Sequence, residues 1–173
     1  LICKTEYMPK RFNQKTCSVK CAITYAKQKE SEKRSKEIRK KNKEIKQKLK
    51  TKGEHLKELQ TIFNKFIRLR DKELPCISCG TTRPVKYDAG HFYSVGAYPN
   101  LRFNEDNVHK QCSNNCNVNL SGNFAEYSIN LPDRIGVKRF TQLTDNRHKP
   151  LKISIFEIEE LKVIYKGKIK ELE

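Results

Sequence analysis

Apolar positions recur at heptad-like intervals through the middle of the chain: Ile38, Ile45, Leu49, Leu56, Leu59, Phe63 and Phe66, with Asn42 and Lys52 interrupting the seam. Such spacing keeps one side of an α-helix apolar. The stretch 22–74 holds no proline, and Gly53 is its one weak point, at a cost of roughly 1 kcal/mol relative to alanine. Unbroken, it would reach about 75–80 Å at ~1.5 Å per residue. Two helices meeting near Lys52–Gly53 are expected, with the apolar seam serving either a coiled coil or packing on the domain that follows. A further helix is expected from Ser154, where Ser154 and Glu157 form a capping box. Ile158, Leu161, Tyr165, Ile169 and Leu172 then share one face and suit packing or dimerisation.

Pro75 is a natural helix stop, and nearly all the remaining turn formers follow it. Val85–Phe92 reads as a short strand ending in a glycine-assisted bend, 94–104 as an irregular loop, and Leu101–Val108 as a return segment with a helix after it. The pattern therefore predicts an α+β chain in four parts: a cysteine-bearing head (1–21), a helical arm (22–74), a small core (75–136), and a linker with a terminal helix (137–173).

Charge sharpens this picture. The net charge is +17, of which +11 falls between Ala22 and Lys72, +4 before and +2 after. A positive excess this concentrated favours a polyanionic partner, and nucleic acid is the usual one. The basic stretch lacks the broad apolar face and aromatic anchors of a membrane-surface helix. No segment approaches the ~20 apolar residues that span a bilayer, and no signal-peptide pattern is present. The cytoplasm is the expected location. With 36% hydrophobic and 33% charged residues, a large core is not expected, so a metal or a partner should help hold the parts together.

The seven cysteines fit metal ligation in a reducing compartment better than disulfides. Cys76-x2-Cys79 and Cys112-x3-Cys116 are two knuckles 32 residues apart, each presenting two thiolates from one turn, and together they complete a tetrahedral Zn²⁺ shell. A full thiolate shell leaves no position for substrate, so this zinc is structural. Cys3, Cys17 and Cys21 are one ligand short of a second zinc set, and the fourth is expected to lie outside the sequence, just before Leu1.

Between the knuckles lie Asp88, His91, Asn107 and His109, with Asn117 directly after the last cysteine. A neutral imidazole can take a proton from water near neutral pH, which makes His91 a candidate general base. Asp88 and Asn117 are an oxygen-rich pair suited to one Mg²⁺ or Mn²⁺, an ion that stabilises charge developing on a phosphate. His109 suits a supporting or surface role as well as a catalytic one. Arg102, Lys110 and Arg134 are candidate phosphate contacts. His55 and His148 have no supporting constellation.

This arrangement resembles the ββα-metal (HNH) nuclease motif. It is more closely similar to the lambda NinG (Rap) recombination endonuclease family, through Cys76-Ile-Ser-Cys79-Gly, Asp88-Ala-Gly-His91-Phe, Leu101-Arg-Phe-Asn, Asn107-Val-His-Lys-Gln-Cys112, Cys116-Asn117, Leu120-Ser-Gly-Asn123 and the head's Cys17-Ser-Val-Lys-Cys21-Ala. The resemblance implies a zinc-stabilised ββα-metal nuclease core and a phage enzyme acting on branched DNA, such as Holliday junctions or D-loops, in the bacterial host cytoplasm. By position, it implies His91 as general base, Asn107 as the residue that holds and orients the loop, and Asn117 as a catalytic-metal ligand. Gly90 stands where many relatives place an acidic ligand, leaving Asp88 to supply the carboxylate or His91 to ligate the ion itself. A junction has approximate two-fold symmetry, so a homodimer is expected. Two rival readings remain: a non-catalytic zinc-finger DNA-binding protein, and a coiled-coil adaptor that recruits recombination proteins.

Overall fold

The structure, a computed structural model, describes residues 6–173, and at Gln47 and Lys48 the backbone alone. Two compact units divide the chain, Leu1–Lys50 and Thr51–Glu173.

The first unit is built around one long helix, α1 (Val19–Lys48). Residues 27–47 read as three heptads of similar charge pattern, KQKESEK, RSKEIRK and KNKEIKQ, each with Lys-Glu at its third and fourth positions. Each places a glutamate three or four residues from lysine or arginine on both sides, a pattern that supports an isolated helix by a few tenths of a kcal/mol per pair. Ile38 and Ile45, expected on an apolar seam, are about half exposed. Ahead of α1, Gln14 ties down the head: its backbone carbonyl accepts from the Tyr7 hydroxyl, and its side chain bridges Lys10 N–H and the Thr16 carbonyl.

The second unit opens with α2 (Lys52–Arg70). The expected arm over 22–74 is thus split at 49–51, just before the anticipated Lys52–Gly53 bend. Thr51 and Glu54 form a capping box, with Thr51 Oγ1 accepting from Glu54 N–H and the Glu54 carboxylate accepting from Thr51 N–H. A start signal that satisfies two orphan amides favours a new helix there over a bend in an old one. Leu59, Phe63, Phe66 and Ile67 of α2 are buried against Ile158, Tyr165 and Ile169 of α5 (Ile155–Leu172), which Ser154 and Glu157 cap as the sequence predicts. The C-terminal half of the heptad seam is therefore intramolecular core.

Between these helices lie a two-stranded antiparallel sheet and two short helices. β1 (Tyr87–His91) pairs with β2 (Val108–Cys112), with Asp88 opposite Gln111, Gly90 opposite His109 and His91 opposite Val108. The return strand lies later than the expected Leu101–Val108, because residues 99–101 form a 3₁₀ turn and the chain pairs again only from Val108. A π-helical turn (Ser113–Asn119), α3 (Phe124–Ile135) and α4 (Val137–Asp145) follow. Strand alternation sorts the hairpin into two faces. Tyr87, Ala89, His91, Val108, Lys110 and Cys112 share one, whose Ala89 and Val108 join the α2–α5 core. Asp88, Gly90, His109 and Gln111 share the other, where the Tyr127 ring of α3 packs edge-on to His109. The free edge of β2 is closed: Arg70 donates to Val108 O, Asp71 accepts from Lys110 N–H, and Ile77 N–H donates to Lys110 O. Covering an edge in this way removes a template for unwanted strand pairing.

Candidate metal centre and catalytic face

The knuckle Cys76–Cys79 closes through Gly80, whose φ of +68° suits a residue without Cβ and whose N–H donates to Cys76 O at 3.0 Å. The second knuckle starts at the end of β2 and continues into the π-helical turn, so the extra residue between Cys112 and Cys116 is taken up by wider helical winding. All four sulfurs lie within 4.8 Å of one another, with Cys76–Cys112 at 3.8 Å and Cys79–Cys112 at 3.7 Å. Tetrahedral zinc at about 2.3 Å from each thiolate would separate them by about 3.8 Å. The donor set and its spacing fit zinc.

The electrostatics agree. Burial alone would raise the Cys76 thiol, but amide hydrogens of Cys79, Cys112 and Ser78 outweigh it and bring it below its ordinary value. Burial, with neighbouring thiols in support, pushes Cys112 and Cys116 up. Four adjacent thiolates therefore require a cation among them, and bound zinc would supply it as a structural cross-link. In the head, Cys17 and Cys21 bring their sulfurs to 3.5 Å, as two ligands of one ion would; Cys3 lies outside the described residues.

His91, last residue of β1, is mostly buried, and its Nε2 lies 3.1 Å from Arg102 O. Burial lowers its pKa most, the Arg102 charge also lowers it, and the carbonyls of Arg102 and Ala89 oppose the shift without reversing it. A neutral ring donates from one nitrogen and keeps a lone pair on the other. The Arg102 carbonyl is itself positioned. Asn107, fully buried, accepts from Tyr93 N–H at 2.8 Å and donates to Tyr93 O at 2.9 Å and Leu101 O at 3.1 Å, holding the 93–101 loop closed beside His91.

Asp88 and Asn117 do come together. Asp88 Oδ2 accepts from Asn117 Nδ2 at 3.1 Å and from Ser113 Oγ at 2.5 Å. They belong, however, to the face opposite His91, because residues three apart on a strand project to opposite sides. The pair also has one carboxylate, already carrying two hydrogen bonds. This does not fit a Mg²⁺ or Mn²⁺ site shared with His91. Gly90 cannot be exchanged for an acidic residue without rearrangement, since a Cβ there would overlap the Gln111 side chain.

Of the three candidate phosphate contacts, Lys110 and Arg102 are engaged within the fold and Arg134 only in part. Lys110 is buried, with Nζ donating to Lys72 O at 2.7 Å and lying 4.3 Å from the centre of the Tyr87 ring, so its ammonium is not presented to a phosphate. Arg102 donates to Gln60 Oε1 at 2.6 Å and covers Phe103. Arg134 donates to Pro75 O at 3.3 Å, while its Nη1 is buried without a partner. His109 is buried, its Nδ1 3.2 Å from the Tyr127 hydroxyl, which donates to Gly90 O; this is a structural role. His148 is exposed and stacks at a tilt on Tyr98.

His55 was not expected to have partners, yet it belongs to a cluster that sequence reading missed. His55, Glu58 and Glu159 gather donor atoms within 4.8 Å, and Lys162 Nζ sits among them, 2.7 Å from Glu58, 2.6 Å from Glu159 and 3.5 Å from His55 Nδ1. The amphipathic period offered one signal, since Lys162 lies four residues after buried Ile158 and three before buried Tyr165, on the face that packs against α2.

No helix among the described residues is long and apolar enough to cross a membrane. No solved structure matches the chain. It is 39% identical to protein ninG of Escherichia phage lambda over 184 residues, covering 98% of this chain and 89% of that one. It is 42% identical over 117 residues to protein ninG of Escherichia phage 933W, covering 68% of this chain and 57% of the relative. The profile of the family described as bacteriophage lambda NinG protein matches residues 1–173, and the chain belongs to that family.

Proposed function

We propose that this chain binds branched DNA during phage recombination and hydrolyses a phosphodiester at His91, on a zinc-stapled ββα core. The observation that carries the reading is the positioned imidazole: Asn107 pins the loop, the loop presents the Arg102 carbonyl, and that carbonyl fixes one nitrogen of a neutral ring. The remaining lone pair is suited to accept a proton from water as that water attacks phosphorus, a contribution typically of 10²–10⁴ in rate. The order hairpin then helix, with thiolates of both knuckles at one end of it, supports the same reading. The basic α1 would supply phosphate contacts and a steep salt dependence, about −0.9 in log–log slope per neutralised phosphate. Asp88 and Asn117 lie on the wrong face to join His91, so no step is assigned to a divalent ion.

That same separation favours a second reading, a non-catalytic zinc-stabilised DNA-binding protein. Labelled four-way junction and linear duplex, incubated with wild type and His91→Ala with and without Mg²⁺ or Mn²⁺, decide between them. The proposal expects His91→Ala to lose at least 10²-fold in cleavage with zinc content and DNA affinity kept. Equal cutting by both proteins removes His91 from the chemistry, and tight binding without cutting under every ion establishes the binding protein.

A further inference from the structure

A cavity of about 350 Å³ opens between the C-terminal end of α2, the 105–106 turn, β2 and the α3–α4 junction. Its charged lining comes in pairs with one exception. Arg70 closes on Asp71 at 2.7 and 3.0 Å, Arg139 forks onto Asp106, and Glu105 is held by Lys168 at 2.6 Å. Arg134 remains. Among the described residues its hydrogen-bond partner is the carbonyl of Pro75, no carboxylate forms an ion pair with it, and its Nη1 is buried with no acceptor. A guanidinium is charged at every physiological pH, so a buried N–H without an acceptor is unfavourable until something supplies one.

The surroundings say what would. Arg139, half exposed, lines the cavity from the first turn of α4 and uses Nε and Nη2 on Asp106. α4 begins at Val137 with no side-chain cap, which puts the positive end of a nine-residue helix at the cavity rim. His109 lines the wall as a neutral ring, its pKa pushed down to about 3 by burial first and then by Arg70, Arg134 and Arg139, with Asp71 opposing. The three carboxylates that could repel an anion are each already neutralised by a cation.

We propose that this cavity binds a phosphate group, held by Arg134 and Arg139, with room for part of the nucleotide to which it is attached. Planar guanidinium forks match phosphate oxygens better than a spherical anion, and the volume falls in the range of small-molecule sites. The phosphate comes either from a DNA strand, which deepens the DNA-binding reading above, or from a soluble nucleotide, which does not depend on it. Hydrolysis at His91 is required by neither.

The test uses the zinc-loaded full chain. Inorganic phosphate and a nucleoside monophosphate are titrated at constant ionic strength, following guanidinium NMR signals, on wild type, Arg134→Gln and Arg139→Gln; duplex DNA binding is measured across a salt series for the same proteins. Saturable shifts in wild type, weakened at least tenfold in Arg134→Gln, together with a DNA salt slope reduced by about one, assign the phosphate to DNA. The same loss of phosphate binding with an unchanged DNA slope assigns it to a soluble nucleotide. A reduced slope without measurable phosphate binding also supports the DNA source. Wild-type and Arg134→Gln proteins that agree in both measurements overturn the proposal. If Arg134→Gln does not fold, Arg139→Gln, altered only at an exposed ion pair, decides by the same criteria.

Discussion

Two clusters of ligand-type side chains lie in the unit from Thr51 to Glu173, and they solve the same electrostatic problem in opposite ways. Cys76, Cys79, Cys112 and Cys116 converge with no cation of the described residues among them. His55, Glu58 and Glu159 converge around Lys162, whose ammonium occupies the place an ion would take. Convergent donors alone thus do not identify a metal site. What identifies it is whether the fold has already supplied the positive charge. Zinc bound by the thiolates would tie chain segments 36 residues apart, whereas the lysine cluster ties α2 to α5 through a buried ammonium and two carboxylates that remain half in water.

Removing a thiolate should have the largest effect. Cys116→Ser is expected to lose zinc and cooperative unfolding of residues 51–173, since structural zinc contributes roughly 10–16 kcal/mol in small domains; metal analysis beside a thermal melt checks it, and a normal melt without zinc would show that the apolar packing suffices. Lys162→Met should cost about 1–3 kcal/mol, less than a fully buried pair because both carboxylates keep access to solvent, and denaturant titration measures it. Lys162→Ala, with its cysteine site already saturated, should gain a weak zinc site from the residues left behind. Added zinc would then raise its Tm and leave that of wild type unchanged.

The smallest effect is a pH dependence. Glu159 is held below the usual carboxylate range by the hydrogen bond from Lys162, so its stabilising share is present above its unfolded pKa and lost as pH falls through the folded one. The Lys162 ammonium is desolvated, which lowers its pKa, but Glu159 and Glu58 more than reverse this, so its share is lost only at alkaline pH. The difference in unfolding free energy between wild type and Glu159→Gln should be under about 1 kcal/mol, flat near neutrality, and should close as pH falls below 4.5, as denaturant titration across pH would show. A gap that widens in acid would reverse the assignment.

The thiolate cluster was legible because metal ligands obey short local spacings. The lysine cluster was not, because its members lie 107 residues apart and meet only when two amphipathic helices pack. The split between α1 and α2 occupies an intermediate position. Thr51 and Glu54 carry a complete capping box in the sequence, but the apolar seam running past them from Ile38 to Phe66 is the more conspicuous pattern. The hairpin taught a further lesson. Asp88 and His91 are near in sequence and have suitable chemistry, yet a separation of three on a strand sends them to opposite faces. Asn107 shows the converse: only the family resemblance singled it out as the residue holding the loop, and its three hydrogen bonds to that loop appear once the hairpin closes.

By itself the sequence determined the four clustered cysteines, the capped helix at Ser154, the concentrated positive charge and the strand ending at His91, since knuckle spacing, helix caps, side-chain charge and strand period are local properties. Tertiary structure alone decided that half of the heptad seam becomes core, that Lys110 turns inward, that Lys162 takes an ion's place, and that Arg134 is left with a buried donor. Each of those outcomes depends on which distant groups share a small volume, and there desolvation makes every unmatched charge or hydrogen bond costly.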